Sequence, residues 1–371
     1  SVVSAPFGRI PRDFFYSEPE VDRFRAKQFT VGYEFERDLN DVITLRSNTR
    51  YAHVHRDERS AYPFGYTNPG EFGYALEATS VDSLLTRLAF AHDTEVGTFT
   101  TDNQAEFKFD TGPVAHTLLT GIDYKYYNFD QVAATGFGAP AISPINPIYT
   151  NQIGTLNAPY ADEQLEMHQL GVYAQDQLKF GEGWIVTLNG RYDEVWLDRD
   201  DRRALDAFLT EQQDYDSRNG ALSGRAGIGY EFANGLVPYF SASHAFNPQI
   251  GTDSAGNPVD PLEGEQYEVG LKYAPTFLDA TFTVSLFDLT RRNVVQTIQG
   301  TNISRPIGEI SSQGVELEAN VNIDENWRVK GAFTAYNLKI EEDGNPDLIG
   351  NRPYTVPEVL ASLWLDYTVR G

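Results

Sequence analysis

Two histidines separated by one residue are the first side chains whose spacing suits a chemical role. His53 and His55 lie in an alternating segment from Val42 to Arg56, so in a β-strand both rings point to one face. With a carboxylate such as that of Asp57 they have the donor types of a metal site. A polar position on the strand surface is the favoured interpretation of both histidines, so we expect no resident metal.

A charged run, DRDDRR from Asp198 to Arg203, is the second candidate. It lacks the glycine and the terminal glutamate of an EF-hand calcium loop, which indicates a solvated charge cluster. The chain has no cysteine, and it contains no serine nucleophile elbow, phosphate loop or zinc motif. Among 53 acidic residues, scattered carboxylates do not indicate a glycosidase pair. We therefore expect no catalytic residues, no enzyme activity and no cofactor.

The elements that would position any site are strands with one apolar face. In the segment VELEANVNI, from Val315 to Ile323, apolar residues alternate with Glu and Asn. A period of two places all apolar side chains on one side of a β-strand. The same pattern recurs in about thirteen segments of the length that a membrane-spanning strand requires, roughly 9 to 11 residues or more. The sequence therefore predicts an all-β fold.

The connections between these segments alternate between short and long. Every second one is a tight turn, rich in Asn, Asp, Gly and Pro. This alternation is typical of an antiparallel, transmembrane outer-membrane β-barrel, in which tight turns lie at one end and long loops at the other. The predicted long connections run from Asp57 to Leu84, Ala133 to Asp162, Asp200 to Tyr215, Asn247 to Gly264, Gln296 to Glu309, and Glu342 to Thr355.

Composition narrows the class further. A net charge of -24 argues against a nucleic acid as partner. No stretch reaches the roughly 18 apolar residues of a transmembrane helix, so strands would have to cross the membrane. A soluble β-sandwich or propeller remains the alternative fold. Aromatic residues near the tight turns, and the lack of a repeat of about 40 to 50 residues, favour the barrel. Charges of both signs on the polar faces suit a lumen filled by another domain and a water-filled pore equally well.

The strand count suggests a partial barrel. Thirteen is odd, whereas single-chain bacterial barrels have even strand numbers, and an open sheet would leave two edges unpaired in the membrane. We therefore expect residues 1–371 to form one partial barrel domain, with further strands on both sides of it.

Six segments, in order along the chain, closely resemble TonB-dependent siderophore receptors, and most strongly the ferrichrome-type ferric hydroxamate branch. The resemblance implies a fragment of about 13 strands from a barrel of about 22, without its plug domain and terminal strands. The segments are HTLLTGIDY (His116 to Tyr124), QLGVYAQDQLKFGEGWIVTLNGRYD (Gln169 to Asp193), PLEGEQYEVGLKY (Pro261 to Tyr273), LFDLTRRNV (Leu286 to Val294), QGVELEA (Gln313 to Ala319) and GNRPYTVPEVLASLWLDYT (Gly350 to Thr368).

The resemblance also implies ligand-binding residues. In the predicted loop AYPFGY, Tyr62 matches one of the family's paired ligand-contacting tyrosines, Phe64 replaces the second, and Tyr66 follows two residues later. Phe137 falls within about two residues of another family contact aromatic. Aromatic side chains suit a large, partly apolar ligand. The alternative is that they pack the loops against each other, and the cysteine pair that pins this loop in the family relative is absent.

The function implied is import of ferric siderophores, of hydroxamate type such as ferrichrome, energised by the TonB complex through the missing plug domain. Expected partners are the ferric siderophore, the TonB complex and outer-membrane lipid, for a monomer in the outer membrane of a Gram-negative bacterium. Two alternatives remain open. One is a passive porin-like or usher-like channel, and the other is a TonB-dependent receptor for a catecholate siderophore or another metal chelate.

Overall fold

The computed structural model describes residues 5–204, 214–251, 257–297, 304–353 and 356–369. All its strands form one antiparallel sheet in chain order, which confirms the prediction of thirteen strands and an all-β fold. Within the described ranges, no helix is long and apolar enough to span a membrane. The strands are β1 (Arg23–Asp38), β2 (Ile43–Thr67), β3 (Leu84–Thr111), β4 (Val114–Gly136), β5 (Ala161–Phe180), β6 (Trp184–Asp201), β7 (Tyr215–Tyr230), β8 (Leu236–Asn247), β9 (Leu262–Tyr273), β10 (Ala280–Thr297), β11 (Ser304–Asn322), β12 (Trp327–Glu342) and β13 (Val359–Tyr367), with a 3-10 helix at Pro346–Leu348.

The strand register gives the sheet one apolar and one polar face. Leu317 on β11 lies between Val284 and Phe333 of the neighbouring strands, and these three side chains belong to the apolar face. All three are exposed on this single-layered sheet. A continuous apolar surface of this kind would be costly in water, and it suits contact with lipid.

The opposite, polar face carries rows of charged and amide side chains. Along one row, Asn48 pairs with Asp102, Asp102 with Asp123, and Gly171 follows between Asp123 and Asp193. The two faces therefore differ as the alternating sequence predicts. On a barrel, the polar face is the one that lines the lumen.

Aromatic side chains cluster at the tight-turn end of the sheet. The ring of Trp184 lies 5.1 Å from that of Tyr230, whose ring lies 4.7 Å from that of Phe232. At another turn the rings of Trp327 and Tyr367 are 4.5 Å apart. Such rings favour the boundary between hydrocarbon and water, because they combine an apolar body with a polar edge.

The long-connection end differs from the sequence prediction in one important respect. β2 does not end at Arg56 but continues to Thr67, so residues 57–67 are strand and only 68–83 form the connection. The charged residues Asp57, Glu58 and Arg59 mask the alternation there, yet each is paired with both β1 and β3. The connection after β10 is also shorter than predicted, and its residues 298–303 lie outside the described ranges.

Buried apolar residues in the described ranges form three small clusters. One such cluster contains Ala61, Ala89, Ala139 and Ile153, at the long-connection end of β2 and β3. The segment before β1 and the connection after β4 pack there, so this end is a compact structure rather than a set of separate loops. It is also the end that contains the aromatic residues selected from the sequence.

Candidate functional site

A β-bulge near the end of β2 sets the direction of its aromatic side chains. Tyr62 pairs with Leu88 and Tyr66 with Leu85, while Phe64 is the extra residue between two register positions. Leu88 and Leu85 lie on opposite faces of β3. The bulge therefore separates Tyr66 from Tyr62, although their spacing alone would place both on one face.

Tyr66 packs on the other side of the sheet. Its ring lies 5.9 Å from that of Phe7, in the segment before β1. Gly65, which adopts a φ of 136°, makes this close turn possible. A Cβ atom at Gly65 would lie 2.6 Å from the carbonyl oxygen of Ala75, too close for any other residue.

Phe64 belongs to a first aromatic cluster, which consists of Phe64, Tyr74 and Phe137. The ring centroids of Phe64 and Phe137 are 5.4 Å apart, those of Phe64 and Tyr74 are 4.8 Å apart, and those of Tyr74 and Phe137 are 6.1 Å apart. All three side chains remain exposed. The rings thus support one another and still present surface for a ligand.

The structure thus brings together two residues selected from the sequence and adds Tyr74. Sequence reasoning missed Tyr74 because it lies in the long connection, where no alternation sets a register.

Tyr62 belongs to a second aromatic cluster, which consists of Tyr62, Phe90, His92 and Tyr160. The rings of Tyr62 and Phe90 are 5.3 Å apart, and those of Phe90 and His92 are 5.2 Å apart. His92 Nε2 lies 2.7 Å from the hydroxyl oxygen of Tyr160.

Burial sets the charge of this second cluster. A strand needs roughly 9 to 11 residues to cross a membrane. Along β3, His92 lies much farther than this from the tight turn, so it is outside the membrane. Burial lowers the pKa of His92 and raises the pKa of Tyr160. Both shifts favour the neutral forms. The cluster is therefore an uncharged aromatic surface with polar atoms, suited to a large ligand that displays hydrogen-bond acceptors.

A buried ion pair fixes the connection that contains Phe137. Arg87 is 1% exposed and Glu18 is 0% exposed, and Arg87 Nη2 lies 2.6 Å from Glu18 Oε1. Arg87 Nε also donates to the carbonyl oxygen of Pro140 at 2.7 Å, and the Asn151 amide donates to Glu18 Oε2 at 2.6 Å. These contacts join the segment before β1, strand β3 and the β4–β5 connection. Neither charge showed any sequence pattern that marked it as buried.

The charges on the polar face form a connected network. Tyr173 donates to Asp102 at 2.7 Å, and Arg191 forms ion pairs with Asp123 and with Asp193. Gln169 donates to Asp193 at 2.6 Å. Paired charges of both signs suit a lumen, whether another domain or water fills it.

His55 has carboxylate neighbours other than the one considered from the sequence. His55 Nδ1 lies 3.4 Å from Glu95 Oε1, whereas Asp57 forms an ion pair with Arg23 at 2.7 Å. In the described part of the chain, no three His, Asp or Glu side chains are grouped so as to hold a metal ion.

The charged run at the end of β6 forms ion pairs. Arg202 Nη2 lies 2.7 Å from Asp130, and Arg203 Nη2 lies 2.5 Å from Asp201. The neighbouring carboxylates raise the pKa of both arginines. Arg202 Nε also lies 2.9 Å from Asp162, so the cluster links the ends of β4, β5 and β6. Asp201 is 0% exposed, and the prediction of a solvated charge cluster is therefore wrong for this part of the run.

Comparison with known proteins gives consistent matches along the whole chain. A sequence model described as "TonB dependent receptor-like, beta-barrel" matches residues 3–371. The ferrioxamine B receptor of Salmonella typhimurium is 31% identical over 371 residues, which cover 100% of this chain and 49% of the relative. The ferrichrome outer membrane transporter/phage receptor of Escherichia coli K12 is 34% identical over 375 residues, covering 97% of this chain and 48% of the relative.

Solved structures agree on the fold. The ferric-catecholate import receptor Fiu of Escherichia coli K12 superposes with a TM-score of 0.78 at 20% identity, covering 98% of this chain and 56% of that protein. At this identity the likeness establishes the fold alone. The chain spans about half the length of the curated relatives it matches.

Proposed function

Because the chain belongs to the TonB-dependent receptor β-barrel family, we propose that it is part of an outer-membrane receptor that imports ferric siderophores of hydroxamate type. The observation that carries the proposal is the match over residues 3–371, together with exposed aromatic clusters at the long-connection end. Two similar relatives are named for ferrioxamine B and for ferrichrome, and both of these ligands are iron hydroxamates.

The proposed receptor is a complete barrel of about 22 strands with a plug domain in its lumen. The chain would supply thirteen of its strands, and the paired charges of the polar face would face the plug. The TonB complex would drive transport by acting on the plug. The receptor would be a monomer. Its partners would be the ferric siderophore, the TonB complex and membrane lipid. The proposed role is transport, without catalysis and without a cofactor.

Iron uptake by cells that express the full-length receptor as their sole siderophore receptor tests this function. Cells supplied with radiolabelled ferrichrome or ferrioxamine B should accumulate iron only when TonB is present. Uptake that does not depend on TonB would indicate a passive channel instead. Uptake of an iron catecholate, with none of either hydroxamate, would indicate a receptor for a different class of siderophore.

The exposed aromatic residues of β2 give a prediction about binding. The double variant Tyr62→Ala and Phe64→Ala removes one ring from each aromatic cluster, and we expect the Kd for ferric hydroxamate to rise about tenfold to a hundredfold. Thermal stability should change little, because these side chains are partly exposed. The measurement is siderophore binding to purified receptor by fluorescence quenching.

Tyr66→Ala is the comparison that distinguishes the two faces. Its ring packs on Phe7, on the side away from Tyr62, so we expect a smaller loss of affinity than in the double variant. If Tyr66→Ala weakened binding as much as the double variant, the ligand surface would have to lie on the Phe7 side. An unchanged Kd in the folded double variant would remove Tyr62 and Phe64 from the site.

A further inference from the structure

The β2–β3 connection, residues 68–83, is closed by backbone hydrogen bonds at its base. Tyr66 and Ala75 each donate an amide to the other's carbonyl oxygen, and both distances are 2.7 Å. This bridge places the residue before Ala75, Tyr74, next to Phe64. The apolar side chains near its tip do not hold the connection, because Phe72 and Leu76 are almost fully exposed.

The side chain that holds this connection is Asn68, which is 2% exposed. Its Nδ2 donates to Glu71 Oε2 at 2.9 Å and to the carbonyl oxygen of Glu77 at 3.1 Å. Its Oδ1 accepts from the Thr79 amide at 3.1 Å and from the Ser83 hydroxyl at 2.6 Å. An asparagine amide has two N–H groups and one oxygen with two lone pairs, so all of its hydrogen-bonding capacity is used.

These four contacts reach across the connection. Glu71 lies before the tip, Glu77 and Thr79 lie after it, and Ser83 directly precedes β3. One buried amide therefore ties the beginning of the connection to its return and to its end. Loss of this side chain would leave buried polar groups without partners, which weakens a structure more than loss of an exposed hydrogen bond.

We propose that Asn68 is a positioning residue of the siderophore site: it holds the β2–β3 connection so that Tyr74 completes the first aromatic cluster. The inference rests on the proposed function, since the cluster would be the surface that contacts the iron–siderophore complex. A ligand that binds a surface already in place does not have to order it. Asn68 thus performs by hydrogen bonding the task of a covalent link across the loop.

The test measures binding and uptake separately in full-length receptor. Asn68→Ala should raise the Kd for iron-loaded ferrichrome or ferrioxamine B about tenfold, and it should raise the KM for uptake by a similar factor. The maximal uptake rate should stay unchanged, since Asn68 contacts neither plug nor ligand in this account. A general folding defect would instead lower the maximal rate by reducing the amount of receptor in the membrane.

Coupling between Asn68 and Tyr74 decides whether Asn68 acts through the aromatic cluster. In Tyr74→Ala receptor, the added Asn68→Ala change should raise the Kd by less than twofold, because the ring it positions is gone. Two effects that multiply independently would overturn the proposal. Asn345→Ala is the control for truncating an exposed asparagine in another long connection. Asn345 accepts from the Asp347 amide at 3.1 Å in the β12–β13 connection, and its loss should leave the Kd unchanged.

A milder variant covers the case in which Asn68→Ala does not assemble. Ser83→Ala removes one hydrogen bond to the Asn68 side chain, and we expect the Kd to rise about threefold. An unchanged Kd in Ser83→Ala, or in an assembled Asn68→Ala receptor, would overturn the positioning role while wild-type receptor still binds hydroxamate. Wild-type receptor that binds neither hydroxamate would refute the proposed function itself.

Discussion

Arg87→Met is expected to detach the segment before β1 and the β4–β5 connection from the sheet. Its loss leaves the Glu18 carboxylate buried without a cation, and removing one partner of a buried ion pair costs about 3 to 5 kcal/mol. The carbonyl oxygens of Tyr16 and Pro140 lose their Arg87 donors as well. Hydrogen exchange measured by mass spectrometry should show faster exchange in residues 14–22 and 137–157.

Two further variants separate burial from charge. The double variant Glu18→Leu and Arg87→Met removes both charges, so we expect it to recover much of the lost stability. Arg202→Met removes an arginine that pairs with Asp130 and Asp162 but is one-third exposed, and its effect should be about 1 kcal/mol or less. Equal destabilisation by Arg87→Met and Arg202→Met would show that burial of the Arg87 pair is unimportant.

Leu317→Arg should test the assignment of the apolar face to lipid. Leu317 is 40% exposed and lies between Val284 and Phe333, several residues from the tight turn that follows β11. An arginine facing the hydrocarbon near mid-membrane lowers the free energy of unfolding by about 2 to 4 kcal/mol. The measurement is denaturant unfolding of the full-length receptor in lipid vesicles.

The neighbouring residue provides the control. Glu318 lies on the polar face, and Glu318→Ala should change the free energy of unfolding by well under 1 kcal/mol, since no lipid contact is altered. If the two variants destabilised the receptor equally, the two faces would be wrongly assigned. A large effect of Glu318→Ala, with little effect of Leu317→Arg, would mean that the face of Glu318 contacts lipid and the face of Leu317 does not.

Strand number, strand direction and the two faces were predictable because each depends on a pattern within one segment. The alternation around Val315 sets the faces of β11 without reference to any neighbour. The end of β2 was not predictable in this way. Beyond Arg56 a run of charged residues, Asp57 to Arg59, interrupts the alternation, and Pro63 and Gly65 follow it, so no continuous strand pattern marks residues 57–67.

The candidate site was only partly predictable, for a related reason. Tyr62, Phe64 and Phe137 were found by resemblance, and the structure shows that Phe64 and Phe137 meet. The bulge that turns Tyr66 away depends on the approach of Ala75 to Gly65, a contact across the connection. Asn68, Tyr74 and Arg87 depend on partners up to 71 residues away, as between Arg87 and Tyr16, and local sequence does not encode such distances.

The order of strands in the sheet constrains how a chain of this kind can change in length. Every strand pairs with its neighbours in sequence, so each hairpin brings its own pairing partner and needs no distant crossover. Inserting or deleting two strands together leaves the direction of all later strands unchanged, and tight turns stay at the same end. Inserting one strand would reverse all that follow. The hairpin is therefore the smallest unit by which such a barrel can grow or shrink.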